Sequence, residues 1–183
     1  MIRLASQSPR RAELLRQIGV PCIISPAEIA ESVLPGESPE DFVRRMAVSK
    51  AQAIQARHPG DRVLGADTVV VLHDRILGKP RGREHAIEML LALAAREHAV
   101  LTGVALAGRR THYAVSRSRV WFREITRAEA EHYWESGEPA DKAGGYAIQG
   151  RAAVFIRRIE GSYSGIMGLP LFETAELLAR VEA

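Results

Sequence analysis

The sequence has few of the residues that mark specialised classes of protein. Its 183 residues include one cysteine, Cys22, so no internal disulfide can form. We expect Cys22 to be a small buried apolar side chain in a reducing cytoplasm rather than a nucleophile. No apolar run approaches the roughly 20 residues of a membrane-spanning helix, and the chain enters a strand-like segment at once, without the layout of a signal peptide. These absences predict a cytoplasmic protein with no membrane partner.

Charge and metal-ligand patterns are also sparse. The formal net charge of +3 suits phosphate-bearing small ligands but falls short of the basic stripe of a nucleic-acid binder, so no nucleic-acid partner is expected. Aromatic residues make up only 5% and are scattered, which argues against a base-stacking surface. The six histidines lack paired metal-ligand spacing, which argues against a structural zinc site. Composition and length predict one domain over residues 1–183.

Hydrophobic periodicity predicts an α/β fold with a mixed sheet. Ser38-Pro39-Glu40 starts a helix that should run to about Arg57, and Thr126 with Glu129 forms a capping box. The turn at 108–110 predicts an antiparallel hairpin. Strands are expected over 1–6, 20–25, 62–74, 98–107, 111–125 and 152–161, and helices over 9–18, 39–57, 85–94, 127–136 and 170–181.

The first predicted helix begins with an unusual charge pattern. Ser8 is typical of an N-cap and Pro9 of the first helical position, which places Arg10 and Arg11 in the first turn. A helix N-terminus carries partial positive charge, so each exposed cation there costs roughly 0.3–1 kcal/mol. A bound anion would reverse the sign of that interaction. The pattern therefore indicates an anion site.

Asp67 interrupts the apolar stretch "VLGADTVVVL". A strand buried on both faces should carry no charge, because an unpaired buried carboxylate costs several kcal/mol. The residue therefore needs a cation, a metal or hydrogen bonds, and a raised pKa is expected. An Asp hydrogen-bonded to backbone at a strand end is the alternative interpretation.

Lysines and glutamates flank this strand in sequence. Lys50 lies on an otherwise apolar helical stretch, and Lys79 lies in "GKPRG". Each alone is typical of a solvated surface charge, but ligands of α/β sheets gather beyond the carboxyl ends of strands, where these residues could meet the first helix. Glu28 and Glu31, in the loop after the second strand, could supply oxygen ligands to a hard divalent cation.

Five segments in order, "LASQSPRRAELL", "VLGADTVV", "GKP", "DKAGGYAIQG" and "GSYSGIMGLPL", resemble the Maf family of nucleoside triphosphate pyrophosphatases over residues 3 to 178. The resemblance implies an α/β fold with a twisted mixed sheet, flanking helices and two lobes around a cleft (Maf/ITPase-like). It also implies a homodimer and a divalent metal cofactor, Mg²⁺ or Mn²⁺. The implied reaction cleaves a nucleotide between its α- and β-phosphates.

The resemblance assigns roles residue by residue. Asp67 matches the proton acceptor and could also face the metal. Glu31 matches an acidic residue near the metal, and Glu28 is the alternative because Ala27 and Ala30 stand where the family often has carboxylates. The phosphate-binding positions correspond to Ser6, Ser8, Arg10, Arg11, Lys50 and Lys79.

Substrate choice is implied by "GYAIQG". A branch of the family with Gln at position 149 resembles dTTP and UTP hydrolases, and Arg10 and Thr68 match its other two specificity positions. A Gln amide offers one donor and one acceptor, which complement the N3–H donor and O4 acceptor of uracil and thymine. We expect dTTP, UTP and modified pyrimidine nucleotides as substrates. The alternatives are the 7-methyl-GTP branch and a non-catalytic nucleotide or nucleic-acid binder, and the family has been linked to cell-division arrest.

Overall fold

The computed structural model describes residues 2–180, in which a mixed seven-stranded sheet is flanked by helices. The predicted α/β fold class is confirmed. The strands are β1 (Ile2–Leu4), β2 (Cys22–Ile24), β3 (Arg62–Leu72), β4 (Arg75–Leu77), β5 (Glu97–Ala107), β6 (Thr111–Phe122) and β7 (Ile156–Glu160). The helices are α1 (Pro9–Gln17), α2 (Pro39–Arg57), α3 (Arg83–Leu93), α4 (Arg127–Glu135), α5 (Tyr163–Met167) and α6 (Leu171–Ala179).

The sheet has the order β2-β1-β3-β5-β6-β7, with β4 paired to β3. β1 is parallel to β2 and β3, and every other pair is antiparallel. One edge of β3 is shared by two short strands, since β1 pairs with residues 62–64 and β4 with residues 70–72. Within the described chain, residues 65–69 have no strand partner on that edge. The sheet therefore has a gap at its middle, beside a central strand.

The two faces of β3 pack against different helices because successive side chains alternate. Val63, Val69 and Val71 face α2, whereas Leu64 and Ala66 pack with α1 and α6. Farther along the same face, Val70 and Leu72 join a second cluster with α3 and α4. The core on this face thus divides into the two expected lobes, with residue 68 between them.

Two glycines let α2 lie unusually close to the sheet. A Cβ at Gly65 would lie 2.3 Å from the Ala47 carbonyl oxygen, and one at Gly103 would lie 2.3 Å from the Val43 carbonyl oxygen. Because both obstacles are backbone atoms, a side chain at either glycine would force the helix outward. The contact fixes the height of α2 above β3.

Several local predictions are confirmed. Ser38 Oγ accepts a hydrogen bond from Asp41 N, and α2 ends at Arg57 as expected. The Thr126–Glu129 capping box and the hairpin between β5 and β6 are both present.

No described helix is both long and apolar enough to cross a membrane.

Other predictions need correction. β3 stops at Leu72, and His73 and Asp74 form a positive-φ turn into the unpredicted strand β4. The predicted strand over 152–161 begins only at Ile156, because Arg151–Phe155 forms a 3₁₀ turn. Helix α5 was not predicted, and Cys22 is half-buried rather than fully buried. Predicted strand residue 1 and predicted helix residue 181 lie outside the described residues.

Candidate active site

The gap beside β3 opens into a cleft of about 890 Å³. This volume is within the range of small-molecule sites. The cleft walls come from the end of β1, the start of α1, the loop at 27–33, β4 with the residues that follow it (76–79), and the segment 141–149. The cleft contains ten of the predicted site residues, namely Ser6, Ser8, Arg10, Arg11, Glu31, Lys50, Asp67, Thr68, Lys79 and Gln149. Glu28, the alternative to Glu31, is exposed and does not line the cleft.

Asp67 lies in the open part of β3 and faces α2. Its Oδ1 accepts a hydrogen bond of 2.6 Å from Lys50 Nζ, and both residues are only 7% exposed. Burial raises the pKa of Asp67 above its usual range, although Lys50 and Arg11 oppose that rise. The charged residue in an apolar strand is therefore paired, as expected from the cost of burying it alone.

Lys50 contacts a second carboxylate, since its Nζ lies 2.7 Å from Glu31 Oε1. Although burial tends to raise the pKa of Glu31, the hydrogen bond and charge of Lys50, with the charges of Lys79 and Arg11, bring it below its ordinary value. The ammonium therefore sits between two carboxylates. Its predicted contact with phosphate has to be made from this position, with the one remaining donor.

Ser8 occupies the N-cap of α1, as predicted, but its side chain makes no capping hydrogen bond. No acidic residue lies in the first turn of the helix. Arg10 and the exposed Lys79 add positive charge to the same cleft. The start of α1, which has no side-chain cap, thus lines a cationic cavity that suits an anion.

Arg11 makes three hydrogen bonds inside the protein that its position in the sequence does not predict. Nε donates to Gly168 O at 2.7 Å, one terminal nitrogen donates to Ser6 Oγ at 3.0 Å, and the other donates to Thr68 Oγ1 at 3.2 Å. A guanidinium has five N–H groups, so two remain for a ligand. Arg11 therefore joins α1 to β3 and to the end of α5.

Sequence reasoning missed Thr102 on β5. Thr102 Oγ1 lies 2.9 Å from Thr68 Oγ1 and donates to Gly165 O at 2.8 Å. Because Arg11 can only donate and Gly165 O can only accept, the direction of the chain is fixed: Arg11 to Thr68 to Thr102 to Gly165. The polar Thr102 within the apolar run "AVLTGVALA" was the available signal. Thr68 donates its only hydroxyl proton to Thr102, so it can offer a ligand only an acceptor.

Gln149 is exposed and lines the cleft from a turn closed by a 3.0 Å hydrogen bond from Gly150 N to Ala147 O. Its neighbours Tyr146, Ala147 and Ile148 are buried. The amide is therefore presented to the cleft by a turn whose other residues belong to the core.

The sequence is similar to those of known proteins over nearly its whole length. A family model described as "Maf-like protein" matches residues 1–181. The chain is 56% identical over 187 residues to a dTTP/UTP pyrophosphatase of Alkalilimnicola ehrlichii, covering 99% of this chain and 93% of that protein. It is 51% identical over 184 residues to a dTTP/UTP pyrophosphatase of Saccharophagus degradans, with 98% and 88% covered.

A solved structure, the nucleoside-triphosphatase / dITP/XTP pyrophosphatase of Mycobacterium abscessus, is 19% identical, covers 68% of this chain and 74% of its own, and has a TM-score of 0.44. The family match spans nearly the whole sequence, and the relatives exceed 50% identity over almost all of it. The chain belongs to the Maf-like protein family.

Proposed function

We propose that this protein is a nucleoside triphosphate pyrophosphatase that hydrolyses dTTP and UTP to the monophosphate and pyrophosphate. The observation that carries the proposal is the buried Asp67, which lies at a gap in the sheet and lines the same cleft as the cationic start of α1. The printed names of relatives at 56% and 51% identity support the same substrates.

The triphosphate binds at the start of α1. The backbone N–H groups and Ser8 face the cleft, and Arg10, Lys79 and the two free N–H groups of Arg11 add charge-assisted hydrogen bonds. These groups stabilise negative charge on the phosphates and orient the chain of phosphorus atoms along β3. Ser6 contributes through Arg11, whose guanidinium it helps to hold.

Asp67 acts as the general base. It accepts a proton from a water molecule as the water oxygen forms a bond to the α-phosphorus, and the bond from that phosphorus to the α,β-bridging oxygen breaks. The electron pair leaves with pyrophosphate. Burial raises the pKa of Asp67 and makes it a stronger base, while Lys50 keeps it ionised. No covalent intermediate is needed.

The donor set fits a divalent cation that arrives with the nucleotide. No group of three His, Cys, Asp or Glu side chains suitable for a metal is found within residues 2–180. The nucleotide would therefore supply some of the ligands of a bound cation. Mg²⁺ commonly uses one or two carboxylates together with substrate phosphates. Glu31 and Asp67 would hold Mg²⁺ or Mn²⁺ here, and when bound the ion would neutralise charge on the phosphates.

Gln149 selects the base. Its amide donor and acceptor complement the O4 acceptor and N3–H donor of uracil and thymine. Arg10 and Thr68 contribute to the same choice. Cytosine presents the reverse pattern at these two positions, so a fixed amide disfavours it.

The test is incubation of the purified protein with Mg²⁺ and a panel of nucleoside triphosphates, followed by product identification. Monophosphate and pyrophosphate from UTP and dTTP are expected, whereas orthophosphate would refute cleavage at the α–β bond. Asp67→Asn should lose at least about 10²-fold in turnover while still binding nucleotide. Asp74→Asn is the matched control, because Asp74 is exposed in the β3–β4 turn and Asn accepts its φ of 63°. An Asp67→Asn protein with full turnover would refute the assignment.

Location and assembly stay predictions. We expect a cytoplasmic protein of one domain over residues 1–183 that forms a homodimer and binds neither nucleic acid nor membrane. Fractionation of the cell would test the cytoplasmic location, and light scattering of the purified protein would test the homodimer.

A further inference from the structure

Tyr133 and Glu138 lie outside the cleft lining but contact both ends of the turn that carries Gln149. Ala147 N donates to Tyr133 Oη at 3.1 Å, and Arg151 N donates to Glu138 Oε2 at 3.1 Å. Tyr133 Oη in turn donates to Glu138 Oε1 at 2.5 Å. One hydrogen-bonded pair therefore holds the residue two positions before Gln149 and the residue two positions after it.

The pair is itself rigid. Tyr133 is 3% exposed at the end of α4, and its ring packs edge-to-face on Phe155 with centroids 5.6 Å apart. Glu138 begins the 3₁₀ turn that follows α4, and its backbone N–H is bonded to Ser136 Oγ. Both side chains thus have positions set by packing and by local backbone bonds.

Gly150 completes the contact. A Cβ at this position would lie 2.1 Å from Glu138 Oε2, so the carboxylate occupies the space in which any other residue would place its side chain. The φ of Gly150 is −107°, which other residues adopt readily. A side chain here would therefore displace the Glu138 carboxylate from its bonds, although the φ of the backbone would accept one.

We infer that Tyr133 and Glu138 are positioning residues for base selection, because they fix the turn from which Gln149 faces the cleft. The inference rests on the proposed function. A glutamine amide can present its donor and acceptor in either order by rotation about its last torsion. Whichever order the amide presents, it reaches the base only from a turn held at the right distance, so a turn that shifts weakens the contact that favours uracil.

The test compares kcat/KM for UTP with kcat/KM for CTP in each protein preparation. The ratio does not depend on the fraction of folded enzyme, so a purely structural loss leaves it unchanged. Tyr133→Phe keeps the ring but removes the hydroxyl, and Glu138→Gln replaces one of the two acceptor oxygens with a donor. Both should lower the UTP-to-CTP ratio about tenfold, mainly through KM for UTP, because Asp67 and the phosphate-binding residues belong to other segments of the chain than the turn.

Tyr113→Phe is the matched control, since Tyr113 is 50% exposed on β6 and does not line the cleft. It should keep the wild-type ratio. Gly150→Ala should lower the ratio in the wild-type background but add nothing in a Glu138→Ala background, in which the obstructing carboxylate is gone.

The outcomes separate the two proposals. A wild-type enzyme that prefers UTP, with Tyr133→Phe and Glu138→Gln variants that prefer it equally, would overturn the inference alone. Additive effects of Gly150→Ala and Glu138→Ala would also count against it. A wild-type protein with no turnover of either nucleotide would overturn the proposed function, and this inference with it.

Discussion

His98 should make the stability of this protein depend on pH between about 4 and 6.5. The imidazole is 3% exposed on β5, and burial lowers its pKa from 6.5 to about 4. One ring nitrogen lies 2.8 Å from Tyr146 Oη, whereas Nδ1 is buried and has no hydrogen-bond partner among the described residues. Protonation would place a buried N–H there with no acceptor.

The direction of the change in stability follows from proton binding. Between pH 6.5 and about 4 the unfolded chain binds a proton at position 98 and the folded protein does not, so acidification favours the unfolded state. The contribution of His98 is complete above pH 6.5 and is lost as pH falls toward 4, with a slope of about 1.4 kcal/mol per pH unit. The total loss is about 3 kcal/mol, a large part of an ordinary domain's stability.

Urea unfolding followed by fluorescence of Trp121 and Trp134 would measure this dependence at several pH values. Since carboxylates titrate in part of the same window, the relevant quantity is the difference between the wild-type protein and His98→Gln. That difference should change by about 3 kcal/mol across the window. Tyr146→Phe, which removes the hydrogen bond but keeps the burial, should retain the wild-type slope. A flat difference between wild type and His98→Gln would refute the reasoning.

Three further outcomes are expected. The acid limb of kcat/KM should have its midpoint above the ordinary pKa of aspartate, because the proposed general base Asp67 must be ionised to accept a proton and burial raises its pKa; a midpoint at or below the ordinary value would contradict this. Gly103→Ala should destabilise the protein by about 1–3 kcal/mol and reduce turnover by pushing α2 from the sheet, whereas Gly60→Ala, with no atom within 4 Å, should change the urea midpoint little. Thr102→Val should cost about 1–3 kcal/mol in urea unfolding, since the Thr68 hydroxyl loses its acceptor and the Gly165 carbonyl keeps only its bond from Gly168 N; unchanged stability would argue against the hydrogen-bond chain.

The sequence predicts those parts of the fold that local chemistry decides. The capping box at Thr126, the N-cap at Ser38 and the hairpin at 108–110 depend on a few neighbouring residues, and all are present. Asp67 was identifiable because a charge in a buried strand requires a partner. Its partner Lys50 lies 17 residues away in sequence, and only the fold shows the two in contact.

The predictions from the sequence are wrong or incomplete where tertiary contacts decide the local structure. The segment 151–155 is apolar enough for a strand, but Ala152 and Phe155 are buried and the two residues between them are exposed, which is the three-residue period of a 3₁₀ turn. Helix α5 has five residues and depends on the Ser162 cap and on Thr102. Arg11 was predicted to serve phosphate, and its three bonds inside the protein were not foreseeable from the residues around it.

The pleat of β3 gives its two central residues separate tasks. Asp67 points toward the lysine on α2, and Thr68 points toward the guanidinium at the start of α1, although their backbones are adjacent. Deletion of a single residue between Leu64 and Asp67 would exchange the two sides. The hydroxyl would then meet the ammonium, and the carboxylate would take the place of Ala66 among the apolar side chains of α1 and α6. The proposed chemistry therefore depends on the number of residues that precede Asp67 in this strand as strictly as on the identity of either residue.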